Sequence, residues 1–516
     1  MLSQSLIASA SATANRLALS LMLMVVAVPL TSLAVEPGRY FIFQQGSVIS
    51  DLQCPLKSTI NPAPLRQSKD IMEPPDAEEL DELGILTTGL GKAIASVPDT
   101  TQNASIVTRP GGIQSQSIRV GIWGDSHLAA GSFSSELKRV FLAQGLKTRT
   151  QFIPFTMGRA GVNLPLRRHC MDRWKSELAY NARNSGIPTG VGMNVLQGEP
   201  GAYLWFDLRN ESGEADVNSI ELFFHQAPRN GSISVSVDDG PENKISLDGV
   251  HGFGALTIVG NRPVSILKIR VSEMPVQLNG MFLNFRQTSI VTLDSFGIPG
   301  ATIRAWQQLD TVYFSEYFKD RKYDLVMLEY GTNEGNAVPF DALGYAKMLD
   351  QSLRNFRQVF PQSECLLIAP GDRGTLVPRT RKAKKLQKGK DAKAKKDKNR
   401  HKVAPNARLH SGYPAAVDLL RFSAIHEKIS SIQKEVGARY SCKVWSMQTA
   451  MGGQGSAYAW LLANPPLMSK DLTHFTIKGY QRLAQELATS LGWKSEANGP
   501  AVITPEPPAG DEGAGK

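Results

Sequence analysis

The sequence predicts an α/β protein whose parallel sheet is covered by helices on both faces and is interrupted by an all-β segment. Apolar strands alternate with amphipathic helices in residues 118–169 and 289–494, a pattern typical of parallel sheets buried on both faces. Residues 170–288 instead hold short alternating strands separated by turn signals, which is typical of an inserted β-sandwich. A chain of 516 residues is long enough for such a division.

The predicted elements of the α/β part follow in chain order. A strand at Ile118–Gly124 precedes a helix at Phe133–Gly145, and later strands lie at Asp324–Tyr330 and Cys365–Pro370. A helix is predicted near Ala415–Val436. Two further helices each carry one apolar face, formed by Ala342, Ala346, Leu349, Leu353, Phe356 and Phe360, and by Tyr480, Leu483, Leu487 and Leu491.

The inserted segment is predicted to contain alternating strands without an intervening amphipathic helix. Four aromatic residues in these strands could stack on sugars, although packing in the sandwich core is the favoured interpretation: Tyr203, Trp205, Phe223 and Phe224. The strands are Ala202–Leu208, Ser219–Gln226, Ser232–Asp239, Ala255–Gly260, Val264–Val271 and Val276–Phe285.

Both ends of the chain differ from this body. Arg16 precedes the apolar stretch Leu17–Ala34, which closes on a small-x-small pattern. Residues 1–34 are therefore predicted to be a signal peptide of an exported protein, periplasmic or associated with the cell envelope. A membrane anchor is the alternative. Residues 35–117 are interpreted as a partly disordered leader with one helix near Ala77–Val97, and residues 495–516 as a disordered tail.

The positive charge is concentrated in one segment. Residues 379–402 hold 13 Lys or Arg and two Asp. The net positive charge of this segment, 13 − 2, exceeds the net charge of +10 for the whole chain. The folded body is thus nearly neutral, and its charge argues against a nucleic-acid partner. The Lys-rich run is interpreted as a mobile loop, with electrostatic contact to an anionic envelope surface as the alternative.

Cysteines and histidines give no sign of a metal site. Four cysteines suit an oxidising compartment but allow three pairings or none, and Cys365 could equally be a buried thiol. Because no two Cys or His stand at ligand spacing, we expect no metal, and the chemistry considered below requires no organic cofactor.

A serine, a histidine and an aspartate have the surroundings of a nucleophilic site. Ser126 follows the strand Ile118–Gly124, so it lies at the sheet edge where open α/β folds place their sites. Asp471 stands three residues before His474 and could hold its imidazole in the tautomer that accepts the serine proton. These three residues are the predicted catalytic residues.

Two later segments could supply an oxyanion hole. Gly300 and Asn333 each follow a predicted strand. The oxyanion formed by serine attack on an ester needs fixed N–H donors. We expect the backbone N–H groups of Ser126 and Gly300 and the side-chain amide of Asn333 to provide them.

Together these segments resemble the four signature blocks of the SGNH/GDSL hydrolase superfamily. The blocks are Gly124-Asp125-Ser126, Gly300, Gly331-x-Asn333 and Asp471-x-x-His474. The resemblance implies a flavodoxin-like three-layer α/β/α fold. His127 replaces the superfamily's usual Leu, and Glu334 replaces its usual Asp. We rank His127 far below His474 as the base and interpret Glu334 as structural.

The stretch before the Asp-His block resembles the same region of peptidoglycan O-acetylesterases, and the β insert resembles their carbohydrate-binding module. The matching residues are 451–456, Trp460 and 465–467. The resemblance implies an exported serine esterase that removes O-acetyl groups from a cell-envelope glycan, with peptidoglycan as the first choice. The alternatives are an O-acetyltransferase that uses the same residues and a non-catalytic glycan-binding protein.

Overall fold

The computed structural model describes residues 39–46, 71–86, 117–179, 186, 188–229, 231–379 and 414–493. The predicted signal peptide, the predicted tail and all but the first residue of the Lys-rich run lie outside the described residues. Within those ranges, no helix combines the length and the apolar character needed to cross a membrane.

The strands of the described chain belong to two large sheets and one small one. They are Arg39–Phe43 (β1), Ile71–Glu73 (β2), Ile118–Gly124 (β3), Thr148–Arg149 (β4), Phe152–Ile153 (β5), Arg168–Leu178 (β6), Asn194–Asp207 (β7), Val217–Gln226 (β8), Ser232–Val237 (β9), Asn243–Ser246 (β10), Gly252–Val264 (β11), Ile266–Val271 (β12), Val276–Phe285 (β13), Val291–Gly297 (β14), Leu325–Glu329 (β15), Glu364–Ala369 (β16), Val377–Arg379 (β17) and Cys442–Ser446 (β18).

The helices lie mostly in the α/β part. They are Ala77–Glu82 (α1), Ser126–Ala129 (α2), Ser132–Ala143 (α3), Arg304–Gln308 (α4), Thr311–Glu316 (α5), Ala342–Val359 (α6), Ala416–Leu419 (α7), Arg421–Ala438 (α8), Met447–Met451 (α9), Ser456–Leu462 (α10) and Ile477–Ser490 (α11).

The α/β class predicted from the sequence is confirmed by a parallel sheet in the order β18-β16-β15-β3-β14-β4. All neighbouring pairs in it are parallel. Counted along the chain, its five longer strands follow the order 2-1-3-4-5 of open doubly-wound sheets. Strand β15 is buried along its whole length, as expected for a strand that is covered on both faces.

Helices pack on both faces of this sheet. Apolar residues of α3, α9, α10 and α11 form one core with strand residues such as Ile122 and Met327. Residues of α4, α5, α6 and α8 form a second core with Trp123 and Leu328, which point to the opposite face. Successive residues of each strand therefore face opposite sides of the sheet, and each side packs against its own layer of helices.

The strands of the β segment, which the sequence predicted to form a sandwich, are hydrogen-bonded along one continuous path. The path is β1-β11-β8-β13-β7-β12-β9-β10, with β6 paired to β7 and β5 paired to β13. The strands are joined because the long strand β7 pairs with β13 near its start and with β12 near its end. Apolar residues from both halves of the path still pack into a single core.

Among the strands of this sheet that were not predicted, β6 and β10 carry little apolar signal. Strand β6 is mostly polar, and most of its residues are exposed or half-buried. Strand β10 has four residues, of which only Ile245 is buried. An edge position removes the burial on which the alternating pattern depends.

The predicted leader contributes more structure than expected. Strand β1 pairs in parallel with β11, and Phe43 is buried in the core of the β-sheet. Helix α1 spans Ala77–Glu82, the last eleven residues of the helix predicted to reach Val97 lie outside the described residues, and Leu80 and Ile85 are buried in the α/β core. Residues predicted to have little core of their own thus complete the cores of both sheets.

A disulfide joins two neighbouring strands at one side of the parallel sheet. Cys365 of β16 and Cys442 of β18 are register partners, and their Cα atoms are 4.5 Å apart. Cys365 is therefore not the buried thiol that the sequence left as an alternative. Cys170 is disulfide-bonded as well.

Helix α6 allows a matched test of this packing. Leu353 is fully buried against the sheet, whereas Leu343 on the same helix is 67% exposed. We expect Leu353→Ala to lower the free energy of unfolding by about 2–5 kcal/mol and Leu343→Ala by less than about 0.5 kcal/mol. Denaturant titration followed by far-UV circular dichroism measures both. Equal losses would contradict the assignment of the apolar face.

Candidate active site

The candidate site lies at the carboxyl edge of the parallel sheet. Ser126 begins α2 directly after β3, Gly300 follows β14, and Asn333 follows β15. Asp471 and His474 precede α11. The structure thus brings all five predicted residues to one edge, as expected when parallel strands end side by side.

Ser126, His474 and Asp471 form a continuous hydrogen-bonded chain. The Oγ atom of Ser126 lies 2.9 Å from Nε2 of His474. On the other side of the ring, Nδ1 lies 2.8 Å from Oδ2 of Asp471. With the proton on Nδ1, the imidazole donates to the carboxylate and Nε2 is left to accept the serine proton.

The loop that carries the histidine is shaped around Asp471. Its Oδ1 atom accepts hydrogen bonds from the backbone N–H groups of Thr473 at 3.0 Å and His474 at 2.9 Å. Leu472 adopts a left-handed conformation with φ of 55°, which is costly for a residue of this size. Its side chain is fully buried in the core, and this burial holds the strained turn in place.

Hydrogen bonding sets the charge of the pair. The hydrogen bond with Asp471 raises the pKa of His474 above its usual value, and burial acts in the opposite direction. Burial would raise the pKa of Asp471, but the donors from His474 and Thr473 hold that pKa far below its usual range. Asp471 is therefore an ionised partner suited to stabilising an imidazolium.

Two backbone donors at the site lack an acceptor among the described residues. Among the described residues, the N–H groups of Ser126 and Gly300 have no hydrogen-bond partner. Gly300 has φ of +79°, a left-handed conformation that favours glycine. A Cβ atom built there would meet no other atom within 4 Å, so space is open beside this donor.

Asn333 is placed differently from the sequence expectation. Its Nδ2 atom donates to Oδ2 of Asp125 at 3.0 Å and to the carbonyl of Ala301 at 2.9 Å. Both amide hydrogens are therefore engaged within the protein. Asn333 therefore lies at the site, but its hydrogen bonds connect the loops that follow β3, β14 and β15.

A buried carboxyl pair beneath the serine was missed by the sequence analysis. Asp125 and Glu329 are both buried, and the N–H of Asp125 donates to Oε2 of Glu329 at 3.1 Å. Burial raises the pKa of both side chains. The signal available in the sequence was a glutamate near the end of the mostly apolar strand of residues 324–330.

The two departures from the superfamily pattern have structural explanations. Ring atom Nδ1 of His127 lies 3.1 Å from the hydroxyl of Tyr480, and burial lowers the pKa of this histidine to about 3. His474 rather than His127 contacts Ser126. The carboxylate of Glu334 accepts from the N–H groups of Ile303 and Gly331, so it joins two site loops.

Other candidate groups are resolved as well. Trp205, Phe223 and Phe224 are buried, so packing rather than sugar stacking explains them, whereas Tyr203 is half-buried with Arg270 over its ring. In the part of the chain that the structure describes, no cluster of three or more His, Cys, Asp or Glu could hold a metal ion.

Comparison with solved structures identifies esterases as neighbours. A structure described as a peptidoglycan O-acetylesterase in action matches 73% of this chain and 90% of its own chain, with a TM-score of 0.51 and 24% identity. The resemblance to peptidoglycan O-acetylesterases that the motifs indicated is therefore confirmed at the level of the fold. No family model and no curated protein matches the chain.

Two carbohydrate esterases of family two match less closely, at 12% identity each. The enzyme from Corynascus thermopiles (Myceliophthora fergusii), which carries a carbohydrate binding domain, covers 60% of this chain and 99% of its own with a TM-score of 0.24. The enzyme from Cellvibrio japonicus covers 63% and 98% with a TM-score of 0.22.

The hydrogen bond between Asp471 and His474 leads to a direct test. Asp471→Asn removes the carboxylate that raises the pKa of His474, so we expect this pKa to fall. NMR of histidine-labelled protein over a pH series measures the change in this pKa. The ring of His169 in strand β6 serves as an internal control. An unchanged pKa for His474 would show that another group sets its protonation.

Proposed function

We propose that the protein is an exported serine esterase that removes O-acetyl groups from a cell-envelope glycan, with peptidoglycan as the substrate. The observation that carries the proposal is the chain of hydrogen bonds from Ser126 through His474 to Asp471, beside two unpaired backbone N–H donors. The SGNH-type motifs and the esterase neighbour support it. The 2-1-3-4-5 strand order supports a flavodoxin-like catalytic domain.

The first half of the reaction forms an acetyl-enzyme. The Oγ atom of Ser126 attacks the acetyl carbonyl carbon while its proton passes to Nε2 of His474. The carbonyl oxygen becomes an oxyanion and accepts hydrogen bonds from the N–H groups of Ser126 and Gly300. When the tetrahedral intermediate collapses, the bond to the sugar oxygen breaks and His474 returns the proton to that oxygen.

The second half releases acetate. A water molecule gives its proton to His474 and attacks the acetyl carbon, and collapse of the second intermediate returns the proton to Ser126. Asp471 remains ionised throughout and stabilises the imidazolium in both halves. No step requires an ion or cofactor.

Asn333 requires a rearrangement to serve as an oxyanion donor. Because its two hydrogens are shared with Asp125 and Ala301 in this structure, we propose that the bond to the Ala301 carbonyl is given up when the oxyanion forms. Asp125 would then keep the amide oriented. Asn333 therefore has both a structural and a catalytic role in the proposal.

The β domain is proposed to hold the polymer, and its contacts tie it firmly to the catalytic domain. The indole N–H of Trp123 in β3 donates to the carbonyl of Val191 at 2.9 Å, and the hydroxyl of Tyr317 donates to the carbonyl of Thr189 at 3.1 Å. A glycan bound on this domain would raise the local concentration of acetyl groups at Ser126.

Ser126→Ala tests the nucleophile. We expect the variant to lose labelling by a serine-directed organophosphonate and to release acetate from acetylated peptidoglycan at least about 10³-fold more slowly. Ser135→Ala, at an exposed position on α3, is the control and should behave as the parent does. A sugar acceptor added to parallel reactions reports transfer of the acetyl group in place of its release. Labelling that persists in Ser126→Ala would assign the nucleophile elsewhere.

Asn333→Ala tests the dual role of the amide. The lost oxyanion donor should lower kcat by about 10²–10³-fold with little change in KM. The same change leaves the buried carboxyl of Asp125 with one donor fewer, so the melting temperature should also fall. Steady-state kinetics and thermal unfolding measure the two effects. A variant that alters only KM would make Asn333 a substrate-binding residue.

A further inference from the structure

Arg373 lies between the two loops that carry the catalytic candidates. It follows β16 at the same carboxyl edge of the sheet. One of its guanidinium nitrogens donates to Oδ1 of Asn336, which is three residues after Asn333. The N–H of the next residue, Gly374, donates to the carbonyl of Leu472 at 3.1 Å, which places the loop of Arg373 directly against the Asp471–His474 turn.

The guanidinium has no carboxylate partner. Among the described residues, no Asp or Glu lies within ion-pair distance of Arg373, and its Nε atom is buried without a hydrogen-bond acceptor. One face of the group lies over the ring of Phe422, 4.2 Å from its centre. The side chain is half-buried, so part of the charge is shielded while some donors stay open.

The surroundings of the Arg373 guanidinium are unfavourable for a cation unless an anion binds to it. A partly buried charge without a counterion loses hydration and gains no ion pair in exchange. Burial lowers the pKa of Arg373, and the nearby carboxylate of Asp471 acts in the opposite direction. The planar fork of a guanidinium matches the two oxygens of a carboxylate. Its stacking on Phe422 restricts its orientation before any ligand arrives.

We propose that Arg373 binds a carboxylate of the glycan substrate while the acetyl ester lies at Ser126. This inference rests on the proposed esterase function and narrows its substrate class to acetylated glycans that carry an acidic group. The shared chemistry is the carboxylate. In peptidoglycan it belongs to the peptide stem or, where the stem has been removed, to the lactyl group, and in other envelope glycans it belongs to a uronic acid.

The test compares Arg373→Met with Arg421→Met. Arg421 lies over the same Phe422 ring at 5.4 Å and is exposed, so it is a matched control for the lost stacking. Because Arg373 also influences the pKa of His474, its removal changes the rate for every substrate. The readout is therefore the ratio of kcat/KM for an acidic acetylated oligosaccharide to kcat/KM for a neutral acetylated xylo-oligosaccharide.

We expect Arg373→Met to lower this ratio by roughly tenfold or more, the loss typical of one hydrogen-bonded charge pair, and Arg421→Met to leave it unchanged. Three acidic substrates separate the sources: intact muropeptides, glycan strands freed of peptide, and acetylated oligouronates. The substrate with the largest drop identifies the carboxylate. An equal loss on neutral and acidic substrates would overturn the proposal and leave the esterase function standing.

A measurement on the parent protein makes the test independent of folding in the variant. N-acetylmuramic acid and its neutral counterpart N-acetylglucosamine are compared as inhibitors of nitrophenyl acetate hydrolysis. We expect the acid to inhibit at a concentration at least roughly tenfold lower. Equal inhibition by both sugars would contradict carboxylate binding, whereas a parent that hydrolyses no acetyl ester would contradict the proposed function itself.

Discussion

The register of the parallel sheet determines where each functional loop begins. Gly124 of β3 pairs with Gly297 of β14 and with Glu329 of β15, so three strands reach the carboxyl edge at one level. The serine, glycine and asparagine of the site follow these positions within four residues. Side chains are excluded at the two glycines: a Cβ on Gly124 would lie 2.5 Å from Oε2 of Glu329, and one on Gly297 would lie 2.3 Å from the nitrogen of Ala129.

Two kinds of carboxyl environment meet around the serine. Asp471 is partly exposed and accepts hydrogen bonds from the backbone N–H and the ring of His474, so it remains ionised and can balance an imidazolium. Asp125 and Glu329 are buried together, and burial raises the pKa of both. The buried pair orients Asn333 and the start of α2. The carboxylate of Asp471 instead orients the ring of His474 and raises its pKa. Their surroundings, and not their residue types, separate these roles.

The sequence predicted the parts of the fold that depend on buried alternation, and it predicted the site residues that follow buried strands. Strand β13 was predicted with its observed bounds, and Ser126 and His474 were placed together from motifs alone. Strand β6 and the pairing of β1 with β11 were not predicted, because edge strands lack a burial pattern. The engagement of Asn333 by Asp125 was also not predictable, since it depends on side-chain distances that no spacing in the chain encodes.

The central claim is that acetyl transfer proceeds through Ser126, and trapping the intermediate tests it most directly. Acetylated peptidoglycan labelled in its acetyl carbons is mixed with the protein, the reaction is quenched in acid within one turnover, and the protein is digested and mapped by mass spectrometry. The account predicts a labelled acetyl group on the peptide that contains Ser126, at a level that rises and falls with acetate release. Acetate release with no label on Ser126, or with the label on another residue, would contradict it.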